Sequence, residues 1–128
     1  MTNTTTSEAM RQELTFYAKG AKARYDNAQA KFLAAVQTNP AHAITWSAED
    51  MVRAQTMYEV WMRIEHAIVE HDPLEVVQAN LDDARFHMRS FFGSNSTSIF
   101  SNAVERARAE AFVRIVEELE KLVKHCIA

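Results

Sequence analysis

Four stretches of the chain carry apolar residues at helical spacing, and the few helix-breaking residues fall between them. Pro40, Pro73 and Gly93 separate the stretches, and only Gly20 lies inside one. The pattern predicts helices over residues 6–38, 48–71, 73–92 and 99–126. Because the connections are short, we expect one all-α domain spanning residues 1–128, an antiparallel up-down-up-down four-helix bundle with long first and last helices.

The predicted helix starts carry capping signals. Thr5 and Ser47 are each followed three residues later by an acidic residue, which is the pattern of a capping box. Trp46, just before the second of these, is predicted to pack on Met51 as a hydrophobic staple. Asp72 precedes a proline and is predicted to cap the third helix.

The apolar stripe of the first helix keeps a 4-3 spacing over three heptads and is rich in alanine, so a neighbouring helix can approach closely. This stripe is Leu14, Ala18, Ala21, Tyr25, Ala28, Phe32 and Ala35. The inward residues predicted for the second helix are Ala54, Met57, Trp61, Ile64 and Ile68. The last helix is predicted to turn inward Phe100, Val104, Ala107, Ala111, Ile115, Leu119 and Leu122.

The composition is that of an ordinary helical domain. Of 128 residues, 48% are hydrophobic and 24% charged, the net charge is −3, and the two glycines and two prolines leave little material for hairpins or glycine-rich nucleotide loops. The single cysteine, Cys126, excludes an internal disulfide, and the polar start Met1–Thr6 lacks the features of a signal peptide. We therefore expect a cytoplasmic protein. No apolar run approaches the roughly 18–20 residues of a membrane span, so a membrane partner is not predicted.

The unequal helix lengths predict an uncovered apolar end. If the excess of the first and last helices lies beside the turn between helices 2 and 3, about 10 Å of both helices is left without cover. Small residues and Phe16 also line the side of helix 1 opposite its core stripe: Ala9, Phe16, Gly20, Ala23, Ala30 and Ala34. The predicted partner or dimer interface is therefore Met10, Leu14, Phe16, Tyr17, Gly20, Leu119, Leu122 and Val123. The alternative is that alanine serves only as a good helix former and that the terminal turns fray.

Charged residues inside the apolar faces suggest a second kind of site. Arg85 and Arg108 fall at about the same height as Tyr25 and Tyr58, so the four could form a polar layer that holds an anion. Alternatively, both arginines pair with acidic residues on neighbouring helices, for which Asp26, Glu59 and Glu105 lie at a suitable height.

Histidines and acidic residues cluster around the predicted turn between helices 2 and 3. The pairs His66/Glu70 and Asp83/His87 are each four residues apart, so each pair shares a helix face and could supply two metal ligands. A di-iron bundle needs Glu-x-x-His on two helices, and that spacing does not occur in the chain. Exposed His/Glu pairs on helices are usually solvated faces, so we predict no metal and no other cofactor.

Neither catalysis nor nucleic-acid binding is favoured. Cys126 follows His125 directly, but adjacent helical residues point about 100° apart, so no catalytic residue is predicted. Basic residues are interspersed with acidic ones on all sides of helices 1 and 4, which makes a nucleic-acid partner the weaker alternative. We expect a small non-enzymatic protein that acts by protein–protein interaction. It is expected to form a homodimer and to bind a protein partner of unknown identity. Phage- or plasmid-borne inhibitors and assembly adaptors have this form, an analogy at the level of class. A ligand- or metal-binding helical module and a nucleic-acid-binding accessory protein are the alternatives.

Overall fold

The computed structural model describes residues 4–92 and 99–127, and nearly all of them are helical. The four long helices are α1 (Thr4–Thr38), α2 (Ala48–Ala67), α3 (Pro73–Phe92) and α4 (Ile99–Ile127). A helical turn at Pro40–His42 and a turn wound as a π-helix at Ala43–Ser47 connect α1 to α2. The predicted all-α four-helix bundle is confirmed, and α4 is continuous.

The helices alternate in direction, but their closest neighbours are not the sequential pairs throughout. α2 packs mainly on α1 and α4, and α3 packs mainly on α4. Arg106 approaches Glu49 at 3.6 Å and Arg53 approaches Glu110 at 3.6 Å, so residue numbers rise together along α2 and α4 and these two neighbours run parallel. α1 and α3 therefore lie on the outside of a central α2–α4 pair.

One hydrophobic core joins all four helices. The buried positions recur every three or four residues, as the apolar pattern predicts, and Trp61 is the largest side chain that is fully enclosed. The core residues are Met10, Leu14, Ala18, Ala21, Met57, Val60, Trp61, Ile64, Ile68, Val76, Val77, Leu81, Ala84, Ala111, Ile115, Val116, Leu119 and Leu122.

The entry to α2 differs from the capping prediction. Ser47 has helical dihedrals (φ −71°, ψ −29°) and makes no side-chain capping hydrogen bond, because the preceding turns lead into α2 without leaving helical geometry. Trp46 is 64% exposed, so the predicted staple on Met51 does not bury it. Thr5 lies inside α1, which is already helical at Thr4, and does not stand before the helix as a cap.

The exit from α2 is also shorter than predicted. The helix ends at Ala67, four residues early, and a tight turn closed by the hydrogen bond from His71 N to Ala67 O (3.0 Å) leads to Pro73. The predicted start of α3 at Pro73 is confirmed. The predicted helix end at Gly93 lies outside the described residues.

The uncovered part of α1 lies at the opposite end of the bundle from the predicted one. Ser7 Oγ donates to Asp72 Oδ1 (3.5 Å) and Arg11 Nη2 to the His71 carbonyl (3.3 Å), so the first turns of α1 lie level with the α2–α3 turn. The α2–α3 turn covers the amino-terminal part of the excess of the 35-residue α1 over the 20-residue α2, and the rest lies at the carboxyl end of α1. The stacking of Tyr17 on Trp61 and of Tyr25 on Tyr58 sets the start of α2 level with residues 30–35, so at 1.5 Å per residue α1 continues on the order of 10 Å past it.

Candidate interaction surface

The structure buries half of the residues predicted to form an interface. Met10, Leu14, Leu119 and Leu122 all lie in the core. The expectation that they stand uncovered is wrong, because the end of α2 and the first turn of α3 cover this end of α1 and α4. These four residues hold the bundle together and are not available to a partner.

Tyr17 and Val123 are partly buried against the same core. Tyr17 stacks on Trp61, with ring centroids 5.2 Å apart and planes within 11°. Burial raises the pKa of the Tyr17 phenol, and the carboxylates of Glu118 and Glu13 raise it further. Tyr17 thus closes the side of the core and presents only part of its ring to solvent.

Glu118 is the most enclosed charged group in this region. Its Oε1 lies 3.7 Å from Arg24 Nη1 on α1 and 3.3 Å from Arg114 Nε on α4, while its Oε2 and the nearby Trp61 Nε1 are buried without a hydrogen-bond partner. The carboxylate therefore joins α1 to α4 beside Tyr17. Its role is structural, because both arginines are already engaged with it.

The residues of the predicted anion-binding layer lie in three different places. Tyr25 stacks on Tyr58 between α1 and α2, with centroids 4.8 Å apart. Arg85 donates to Glu120 Oε1 (2.9 Å) across α3 and α4, and Arg108 lines a groove between α2 and α4. Pairing of Arg85 with an acidic residue is thus observed, with Glu120 as the partner that the sequence did not indicate.

The histidine and acidic cluster remains on the surface. His66, Glu70, Asp83 and His87 are all exposed, and Asp83 is shared by His87 Nε2 (3.6 Å) and Arg63 Nη2 (3.8 Å). Within residues 4–92 and 99–127, no group of three or more His, Cys, Asp or Glu side chains is arranged to hold a metal ion. The His66/Glu70 and Asp83/His87 pairs predicted from the sequence do not come together as one metal site in these residues.

Among the described residues, the surroundings of Cys126 do not activate its thiol as a nucleophile. Burial raises the pKa of its thiol, and Glu13 raises it further, so the thiolate is disfavoured. Cys126 packs partly against the core as a small apolar side chain.

The solvent side of α4 is charged and engaged in ion pairs with α2 and α3. Arg106 pairs with Glu49, and Glu120 pairs with Arg85. The exposed residues of α4 include Arg106, Arg108, Glu110, Arg114, Glu117, Glu120, Lys121, Lys124 and His125. Each of these exposed residues is charged or a histidine, so the predicted contribution of helix 4 to an interface finds no support in the described residues.

The outer face of α1, by contrast, is open and apolar at its centre. We define this face as Ala9, Phe16, Gly20, Ala23, Ala30 and Ala34. Phe16 is 71% exposed, the four alanines are exposed, and Gly20 is partly exposed. Ala9, Phe16, Ala23 and Ala30 recur every seven residues, which is the repeat that brings two helices together along a seam. The face predicted from helical projection is therefore present and uncovered.

The carboxyl end of α1 carries a second apolar area, which the sequence reasoning missed. Leu33 is 56% exposed, Val36 is 44% exposed, and Trp46 of the connecting turn is 64% exposed. Phe32 and Ala35 continue the core stripe here and are only partly covered, because they lie close to the end of α1, where α2 is only beginning. The signal was present in the stripe itself, which runs longer than α2 can cover.

Comparison of the chain with known protein families, with curated proteins and with solved structures finds no match. No helix within the described part of the chain has both the length and the apolar character needed to cross a membrane.

Proposed function

We propose that the protein acts by protein–protein contact and forms a homodimer through the outer face of α1. The observation that carries this function is Phe16, a large aromatic side chain 71% exposed in the first half of a 35-residue helix. Burying a phenylalanine side chain contributes roughly 1.5–3 kcal/mol, and a two-fold interface buries it twice. The small residues around Phe16 favour close approach of a second helix.

The proposed interface belongs to α1 alone. Leu119 and Leu122 of α4 are core residues, and the exposed residues of α4 are charged. The proposed role is contact rather than catalysis, of the kind performed by small inhibitors and assembly adaptors. A protein partner other than a second copy would bind the resulting dimer.

The test compares two exposed phenylalanines. Phe16→Asp removes the anchor of the proposed interface, whereas Phe86→Asp changes a residue of α3 that is 60% exposed and lies away from it. We expect native mass spectrometry and sedimentation to give a dimer for the wild-type and Phe86→Asp proteins and a monomer for Phe16→Asp. Circular dichroism should report the same helicity for all three. A wild-type monomer at high micromolar concentration, or a Phe16→Asp dimer, would overturn the proposed function.

A further inference from the structure

Six acidic and lysine side chains of α1 make no ion pair with any other described residue of the chain. The two arginines of the same helix differ from them, since Arg24 approaches Glu118 at 3.7 Å and Arg11 donates to the His71 carbonyl at 3.3 Å. Two of the six, Glu8 near the amino end and Lys22 farther round the helix, lie away from the part of the outer face around Gly20. The other four are Glu13, Lys19, Asp26 and Lys31.

These charges flank the outer face of α1 in opposite-sign pairs. At 100° per residue, Lys19 and Asp26 fall on one flank, and Glu13 and Lys31 fall on the other. When two identical helices pair antiparallel about a two-fold axis, each flank meets the same flank of the partner in reverse order. Such a reversal brings opposite charges together on both sides of the seam.

We propose that two copies of the chain pair their α1 helices antiparallel, crossing where Gly20 faces the partner's Ala23. In this register Lys19 faces the partner's Asp26 and Glu13 faces the partner's Lys31, so four attractive pairs form around the two-fold axis. The arrangement rests on the proposed function, which it deepens by naming the partner and its orientation. Surface ion pairs contribute modestly to affinity, and their main effect here is to select the register.

Gly20 gives an independent reason for a crossing at this height. Glycine inside a helix is unfavourable relative to alanine, and Gly20 does not have a positive φ that would require it. A Cβ atom built there would lie 3.7 Å from Arg24 Nη2, an ordinary contact with the end of a flexible side chain. Contacts within the chain therefore do not explain why this position is glycine. A second α1 packed closely against Gly20 would explain it, because a side chain there would hold the two helices apart.

A parallel pair would use the same face less well. It would set Lys19 near the partner's Arg24, a like-charge contact that offsets its one attractive contact, Asp26 with the partner's Lys31. It would also stack the two Phe16 rings at one height, away from the position where Gly20 leaves space. The charge pattern therefore favours the antiparallel pair.

The first test exchanges the charges. Lys19→Glu and Asp26→Lys each turn two attractive pairs into repulsive ones, and each should raise the dimer dissociation constant on the order of tenfold. The double variant Lys19→Glu/Asp26→Lys restores opposite charges and should return the constant to near the wild-type value. Lys22→Glu, an exposed change on a different side of α1, is the matched control and should leave association unchanged.

The second test measures orientation directly. A spin label at Val36→Cys, in a Cys126→Ser background, lies near the carboxyl end of α1. In the antiparallel register the two labelled backbone positions lie about 40 Å apart, whereas a parallel pair leaves them near the roughly 10 Å separation of packed helix axes. Pulsed electron paramagnetic resonance distinguishes these distances.

The outcomes separate the two levels of the proposal. A wild-type protein that stays monomeric overturns both the homodimer and its arrangement. A dimer in which the double charge variant is no tighter than the single variants, or in which the Val36 labels lie close together, overturns the antiparallel register and leaves the homodimer standing. A dimer with charge rescue and a long label distance supports both.

Discussion

Gly20→Ala is expected to change the stability of the monomer and the affinity of the dimer in opposite directions. In the monomer the added Cβ meets only the Arg24 guanidinium at 3.7 Å, so it enters open space without a steric cost. Alanine is about 0.8–1.0 kcal/mol more favourable than glycine inside a helix. For a domain of this size, that gain corresponds to a rise in Tm of roughly 3–5 °C.

In the dimer the same methyl group lies at the crossing point of the two α1 helices. Two methyl groups, one from each copy, must be accommodated where the backbones approach most closely. Overpacking of this kind costs about 1–3 kcal/mol in a well-packed contact, which weakens association by on the order of tenfold or more. Gly20→Ala should therefore raise the free energy of unfolding of the monomer and raise the dissociation constant of the dimer.

The assay separates the two effects by using a background that cannot associate. Phe16→Asp/Gly20→Ala compared with Phe16→Asp isolates the monomer term by thermal unfolding under circular dichroism. Sedimentation equilibrium of Gly20→Ala against wild type measures the dimer term. If Gly20→Ala leaves the dimer dissociation constant unchanged or lowers it, the helices do not cross at Gly20. If the Phe16→Asp background shows a lower Tm with alanine, Gly20 has a role within the chain that its surroundings do not indicate.

Three further changes test the core and its titratable side. Leu14→Ala removes a fully buried side chain and should lower the free energy of unfolding by about 2–5 kcal/mol in a urea titration; a loss below about 1 kcal/mol would contradict its place in the core. Leu122→Asp puts a charge into the core and should abolish helicity, so a folded Leu122→Asp monomer would contradict its burial. Burial and Glu118 raise the pKa of Tyr17 above 10.0 in the folded chain, so the unfolded chain loses this proton first as the pH rises. The free energy of unfolding that this shift contributes is fully present below pH 10 and is lost as the pH rises through the pKa of the folded chain. In urea titrations across this range, the free energy of unfolding should fall less for Tyr17→Phe than for the wild-type protein.

The sequence indicated the inward faces well because burial repeats locally. Ala54, Met57, Trp61 and Ile64 of α2 are all buried, as is Ile68 directly after it, and their spacing predicts this. Along α1 the stripe is buried only as far as Ala21 and partly covered beyond it. Periodicity tells which side of a helix faces the core, but not how far along the helix a partner reaches.

The position of the uncovered end could not be read from helix lengths. It depends on contacts between distant residues, such as Arg11 with the His71 carbonyl, which align the start of α1 with the α2–α3 turn. It also depends on the connection after Thr38, which is wound into helical turns and packs on both α1 and α2. The local apolar pattern contains no signal for either feature. The uncovered part of α1 was therefore predicted at the wrong end of the bundle.

Knowledge of which helices are neighbours also decides which of the predicted sites the structure shows. Tyr25, Tyr58, Arg85 and Arg108 were predicted to share a height along the bundle, but the structure separates them. Arg108 follows Arg106, which pairs with Glu49 near the start of α2, whereas Arg85 pairs with Glu120 farther along α4. Because α2 and α4 are close neighbours, Arg85 reaches Glu120 between α3 and α4, whereas the two tyrosines stack between α1 and α2. Phe16, in contrast, could be placed from projection along a single helix, since no knowledge of the neighbours is needed to identify the side opposite the core.

The antiparallel register determines where the carboxyl end of each α1 lies in the dimer. The two-fold axis, between Gly20 and the partner's Ala23, lies near the middle of α1, so the carboxyl ends of the two α1 helices point away from it in opposite directions. Leu33, Val36 and Trp46 of each copy then stand at opposite ends of the dimer, about 40 Å apart, and neither set is covered by the α1 contact. A single chain folded in this way therefore joins itself through one face of α1 and leaves a second apolar area, repeated by symmetry, at each end of the pair.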